Sequence, residues 1–146
     1  MTNSHLQNLV DEIKRFEGFK DSVYKDSKGN LTCGWGHHLY LNSEITKQVA
    51  EEFLAMDIAE AISQFYKLKR LYNLRMNVVR CRVVVHMLFN MGLTSFVGFK
   101  KMLKALRRCD YDVAAAEMLD SRWHKQVGER AEYLADLMRR GEDTNL

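Results

Sequence analysis

The sequence predicts an α+β protein that is mostly helical, with a small N-terminal lobe bearing a β-hairpin, a long connecting helix and a larger all-helical lobe. Three observations carry this. Apolar residues recur at helical spacing over most of the 146 residues. One window, Asp21 to His38, breaks that period and is rich in Gly, Tyr, Val, Thr and Trp. The chain contains no proline, so its helices escape the interruption that residue imposes.

The first element is an amphipathic helix with Leu6, Leu9, Val10, Ile13 and Phe16 on one face. Asn3 or Ser4 caps its start. Gly18 sits where glycine ends a helix, so Glu17 falls in the last turn. Ser27-Lys28-Gly29-Asn30 is a turn signal between Val23-Tyr24-Lys25 and Leu31-Thr32-Cys33, which predicts the hairpin. Gly34 and Gly36 flank Trp35 and allow a close backbone approach or a bulge.

A long helix starts near Thr46 and carries Val49, Ala50, Phe53, Leu54, Ile58, Ala61, Ile62 and Phe65. It ends near the basic stretch Lys67 to Tyr72. Met76 to Met91 is apolar almost all round, the mark of a central buried helix. Gly92 stops it, and Thr94 or Ser95 caps a helix carrying Phe96, Phe99, Met102, Leu103 and Leu106. Asp110 caps a short helix through Ala114, Ala115 and Met118. Trp123 lies in a further short turn, and Glu129 to Arg140 forms the last helix, with Gly141 beyond it. Two lobes of this kind leave a cleft, where ligands commonly bind.

Composition narrows the function. Hydrophobic residues make up 47% and charged residues 28%, which excludes a disordered chain. Lys and Arg number 22 against 19 acids, a net +3. That suits a polyanionic partner but lacks the steep, clustered excess of a dedicated nucleic-acid domain. Cys33, Cys81 and Cys109 form neither a CxxC pair nor a zinc-ligand spacing, which reads as reduced, cytosolic synthesis. No apolar run approaches the ~18 residues of a transmembrane helix, so no membrane insertion is expected. The N-terminus lacks the basic and apolar regions of a secretory signal. A protein acting outside the cytosol would then need another route out.

Glu17 and Asp26 are the most informative pair. The negative end of the helix macrodipole disfavours an ionised carboxylate at Glu17. A carboxylic acid that keeps its proton near neutral pH is what a general acid needs. Asp26 starts an exposed turn and is expected to stay ionised. Two carboxylates in different environments are the minimum set for cleaving a glycosidic bond. Thr32, across the turn, offers a strand hydroxyl to help hold a water. From spacing alone the plainer reading prevails: a solvated helix-end glutamate, an ordinary turn aspartate and a threonine chosen for β-propensity.

The run from Glu17 through Asp26 and Thr32 to His37 resembles the catalytic segment of phage lysozymes of glycoside hydrolase family 24, in their T-even branch. Its spacing is Glu, eight residues, Asp, five residues, Thr. Further blocks are similar in order: Ile45 through Asp57, Val79 through Gly92, and Ala114 through Trp123 to Arg130-Ala131. The resemblance covers nearly the whole chain and reverses the plainer reading.

It implies a single lysozyme domain over 1–146, with an N-terminal lobe at about 14–45 and an interlobe helix at about 46–66. The helical lobe would span about 67–146 and include helix 4–17. The implied function is an endolysin, a muramidase cleaving the β-1,4 bond between N-acetylmuramic acid and N-acetylglucosamine. Glu17 would be the general acid, with Asp26 and Thr32 positioning water for inversion. No cofactor or metal is implied. Arg130 would pair with Glu17, and His37 with Asp57. Phe89, Asn90, His38, Met102 and Glu117 would fall on the sugar-binding positions, although residue types at the last three differ from the relatives. The His38–Ile45 connection is shorter than in those relatives, which implies a reduced sheet. The implied partner is the glycan strand, reached from the host cytoplasm through a separate membrane pore (a holin) by a monomer. No nucleic acid is expected. A weakly catalytic wall-binding module and a lytic transglycosylase are the alternatives.

Of the remaining features, His37-His38 are adjacent in a strand and point to opposite faces, which disfavours a metal pair. His86 reads as a core histidine and Trp123 as core, with sugar stacking the rival for Trp123 and Trp35. The basic run Lys100, Lys101, Lys104, Arg107, Arg108 reads as the solvated face of one helix that also attracts an anionic wall.

Overall fold

A computed structural model describes residues 3–143, apart from the side chain of His5. The chain divides into two units, Met1–Thr46 and Lys47–Leu146.

The first unit joins helix α1 (Asn3–Glu17) to an antiparallel sheet of β1 (Lys20–Lys25), β2 (Leu31–Gly34) and β3 (His37–Leu39), in that order. Gly18, at φ +69°, ends α1 by donating its N–H to the Lys14 carbonyl at 3.0 Å. The β1–β2 turn closes as its residues dictate. Asp26 N–H bonds the Asn30 carbonyl at 2.9 Å, Gly29 N–H bonds the Asp26 carbonyl at 3.0 Å, and Gly29 takes φ +83°. β3 is a strand beyond the predicted hairpin.

The register places Thr32 opposite Tyr24 on one side and His38 on the other. Those three side chains therefore share one sheet face, and Cys33 and His37 share the opposite one. Residues 4–17 fall within the first unit, as does the sheet. Lys14 Nζ lies 4.6 Å from the Trp35 ring centre, and Trp35 packs on Phe19 at 4.9 Å.

The second unit is helical: α2 (Lys47–Leu71), α3 (Val78–Val97), α4 (Lys100–Arg107), α5 (Tyr111–Leu119), α6 (Arg122–Val127) and α7 (Glu129–Arg140). Its core contains Val83, Val84, Met87, Phe96, Leu106 and Leu134, with Met102, Met118 and Met138 beside them, all essentially without exposed surface. Each such side chain stabilises the fold by about 1.5–3 kcal/mol in transfer free energy.

Asn77 caps α3 by accepting from Arg80 N–H at 3.0 Å, and Asp110 caps α5 by accepting from Val113 N–H at 3.2 Å. Helical geometry breaks at Gly92, which takes φ 77° and ψ 166°, then resumes as far as Val97. The predicted single helix from Thr94 or Ser95 through Leu106 is thus two pieces. Gly98 interrupts it, and Phe99, not a hydroxyl side chain, occupies the N-cap of α4. Arg80 ties α3 to the end of α7, donating Nε to the Met138 carbonyl at 2.8 Å and Nη2 to that of Arg139 at 2.9 Å. These are carbonyls that a helix C-terminus leaves unpaired. Among the described residues no single helix is both long and apolar enough to cross a membrane.

Candidate active site

Glu17 is the last residue of α1. Its carboxylate lies against Gly36 in the β2–β3 turn, so closely that a Cβ there would stand 2.7 Å from Oε2. Gly36 has φ +76°, so both the space and the backbone call for glycine. This is the close approach the flanking glycines foretold.

Asp26 sits in the other turn, and both oxygens of its carboxylate have partners. Oδ1 accepts from Lys28 N–H at 2.9 Å and Asn30 N–H at 2.8 Å. Oδ2 accepts from the Asn30 side-chain amide at 3.3 Å and faces His38 Nε2 at 3.4 Å. The Asn30 N–H above all, then the Asn30 amide, the Lys28 N–H and the His38 charge, hold the Asp26 carboxyl below its ordinary 3.8. Partial desolvation opposes them and is outweighed. The ionised state expected of this turn aspartate follows.

Thr32 is 1% exposed, the one buried side chain of the first unit among the described residues. Its hydroxyl donates to the Asn30 carbonyl at 3.1 Å. It is therefore turned to the residue that holds Asp26, with little surface left for a water. Asn30 and the His38 contact escaped the sequence reading. Asn30 reads there only as a turn former, and the His38 contact depends on β3 register.

The other singled-out residues belong to the second unit, except His37, on the sheet face opposite Thr32. Phe89 is half-exposed on α3 and lines a hollow of about 320 Å³ with Leu54, Ile58, Arg82, Val85 and His86. His86 is half-buried rather than a core residue. Burial first, then the nearby Arg130 and Arg82 charges, push its pKa down. Asp57 lines a smaller hollow with Glu60, Gln64 and Phe89, of about 210 Å³. Asn90 accepts a 2.7 Å bond from the Trp123 indole, which is buried and meets Phe99 edge-on. Trp123 is thus core. Beside it a cavity of about 700 Å³ is lined in part by Glu117, Lys100, Lys101 and Arg122. Met102 is fully buried in the core and has no surface to offer a sugar. Among the described residues no group of three or more His, Cys, Asp or Glu is placed to hold a metal ion.

A helical chain with one small sheet, two carboxylates in different settings and a cavity rich in polar side chains has the build of a lysozyme-like glycosidase. The chain belongs to the phage lysozyme family, whose pattern matches residues 14–143, and is a glycoside hydrolase. It is similar to a probable T4-type lysozyme of Dictyostelium discoideum, 26% identical over 164 aligned positions covering 93% of this chain and 96% of that one. An endolysin of Acyrthosiphon pisum secondary endosymbiont phage 1 is 33% identical over 119 positions, 77% of this chain and 75% of its own. A peptidoglycan hydrolase of Pseudomonas phage phiKMV is 25% identical across 90% of this chain, which corresponds to 15% of that longer protein.

Proposed function

We propose that this enzyme is an endolysin that hydrolyses the β-1,4 bond between N-acetylmuramic acid and N-acetylglucosamine in bacterial peptidoglycan, for host cell lysis. Glu17 gives its proton to the glycosidic oxygen. Asp26 takes a proton from the water that attacks the anomeric carbon from the opposite side, which inverts that centre. Thr32 positions Asp26 through Asn30. The observation that carries this reading is the Asp26 carboxylate, held ionised by the turn while the other carboxylate closes a helix at the next turn.

The four residues of β2 separate the two turns, at about 3.3 Å per residue. An inverting mechanism needs room between the two carboxylates for the attacking water. Phe89 and Glu117 are the proposed sugar contacts, and Asn90 acts by orienting Trp123. Arg130, His37 and Asp57 keep the supporting roles the family resemblance implies. The enzyme accumulates in the host cytoplasm, reaches the wall through a separately encoded holin and works as a monomer on the glycan strands.

The test is mass spectrometry of the products from purified peptidoglycan, with wild type and Glu17→Gln. Reducing muropeptides from wild type and at least a 100-fold loss in the variant are expected, the weight of a general acid. Anhydro sugars would mean a transglycosylase instead. No product from wild type would leave a wall-binding module.

A further inference from the structure

Two cross-strand pairings bring a third titratable side chain to the turn that carries Asp26. β3 pairs with β2 so that His38 lies opposite Thr32, on the same sheet face. From there its Nε2 reaches Asp26 Oδ2 at 3.4 Å. The two oxygens of Asp26 are not equivalent. Oδ1 is committed to two backbone N–H groups, and both of those bonds build the turn. Oδ2 meets only side chains, at longer distances. Oδ2 is therefore the oxygen with basicity to spare, and His38 faces it.

We propose that His38 is a positioning residue for Asp26, a proton-controlled brake that restrains Oδ2 as an imidazolium and releases it on losing its proton. The inference rests on the reading of Asp26 as the base. A cation 3.4 Å from a carboxylate oxygen stabilises the carboxylate and weakens it as a proton acceptor. Histidine is the side chain whose charge ordinarily changes between pH 5 and 8, so the restraint is switchable where the others are fixed. The imidazole is 54% exposed and Asp26 20%, so solvent protons reach the pair directly.

The other groups around the pair do not supply this switch. Lys28 meets Asp26 through its backbone N–H, and Asn30 is uncharged. Lys25 pairs with Leu31, one residue out of the His38 row. Tyr24 stands in that row, with Thr32 between it and His38. His37 lies on the opposite face. Glu17 lies against Gly36 in the other turn.

The experiment pairs activity with a direct titration. His38→Gln keeps a polar side chain without the charge, and His38→Lys keeps a charge at all pH values of interest. At pH 5 His38→Gln should cleave peptidoglycan about twofold to fivefold faster than wild type, the weight of an exposed ion pair. At pH 8 the two should converge. His38→Lys should stay slow throughout and lose the alkaline gain. The Asp26 carboxyl carbon, followed by NMR, should show a second inflection where His38 titrates in wild type and none in His38→Gln.

Superimposable pH profiles for wild type and His38→Gln would overturn the proposal. So would a single-step Asp26 titration in wild type, whatever role Asp26 plays. Asp26→Asn separates this from failure of the parent reading. If that variant keeps full activity while wild type shows the second inflection at Asp26, the pair is real but Asp26 is not the base, and the brake falls with it.

Discussion

At the scale of single residues, Asp26 shows how much chemistry a turn dictates. An aspartate opening a Ser-Lys-Gly-Asn turn accepts the backbone N–H groups ahead of it, and those bonds favour its ionised form. This was legible in the sequence. The contribution of Asn30 was not, because its side chain is used only once the turn has closed. Replacing Asn30 with Ala removes one donor and leaves the backbone bonds, so the Asp26 carboxyl should titrate higher, closer to 3.8. The sign for stability follows. A carboxyl whose folded pKa is depressed contributes stability above its unfolded value and loses it as pH falls through the folded value. Asn30→Ala should therefore flatten the acid limb of the unfolding curve, read by urea midpoints between pH 2 and 5. An unchanged acid limb would mean that the backbone bonds do all the work.

At the scale of elements, helix ends were the most legible feature. Gly18, Asp110, and Gly141 beyond Arg140 all stand where the sequence places them, since capping is local chemistry. What failed to show was non-local. β3 is three residues without an alternating pattern, and only pairing with β2 makes it a strand. The division of the Thr94–Leu106 segment hid behind two hydroxyl residues that look like caps, while the turn is made at Gly98. The Arg80 clasp was equally invisible, because its two carbonyl partners lie 58 and 59 residues away. Arg80 also stacks over the Tyr111 ring at 3.8 Å. Arg80→Met should cost about 2–3 kcal/mol, the range for hydrogen bonds from a charged donor. Urea denaturation measures it directly. A loss below about 0.5 kcal/mol would show the clasp to be incidental, as surface substitutions are.

At the scale of the whole molecule, charge and packing are divided within one short helix. On α4, Met102, Leu103, Ala105 and Leu106 are buried, while Lys100, Lys101, Lys104 and Arg107 face solvent, followed by the exposed Arg108. Lys104, Arg107 and Arg108 border a shallow hollow of about 300 Å³. A basic face of this kind speeds encounter with an anionic wall, and salt screens it over about 10 Å at 0.1 M. Lys100, Lys104 and Arg107 changed together to Glu should slow wall lysis severalfold at low ionic strength and little at high. Equal slowing at every salt concentration would count against steering.

The buried side of that division reaches further. Met87, Met102, Met118 and Met138 share the core with no exposed surface, although the thioether is among the side chains most easily oxidised. Peroxide can reach those sulfurs only while the helices have parted. The rate at which sulfoxide accumulates at the four positions is therefore a clock for opening of the helical unit, and each sulfoxide formed there makes reclosure harder.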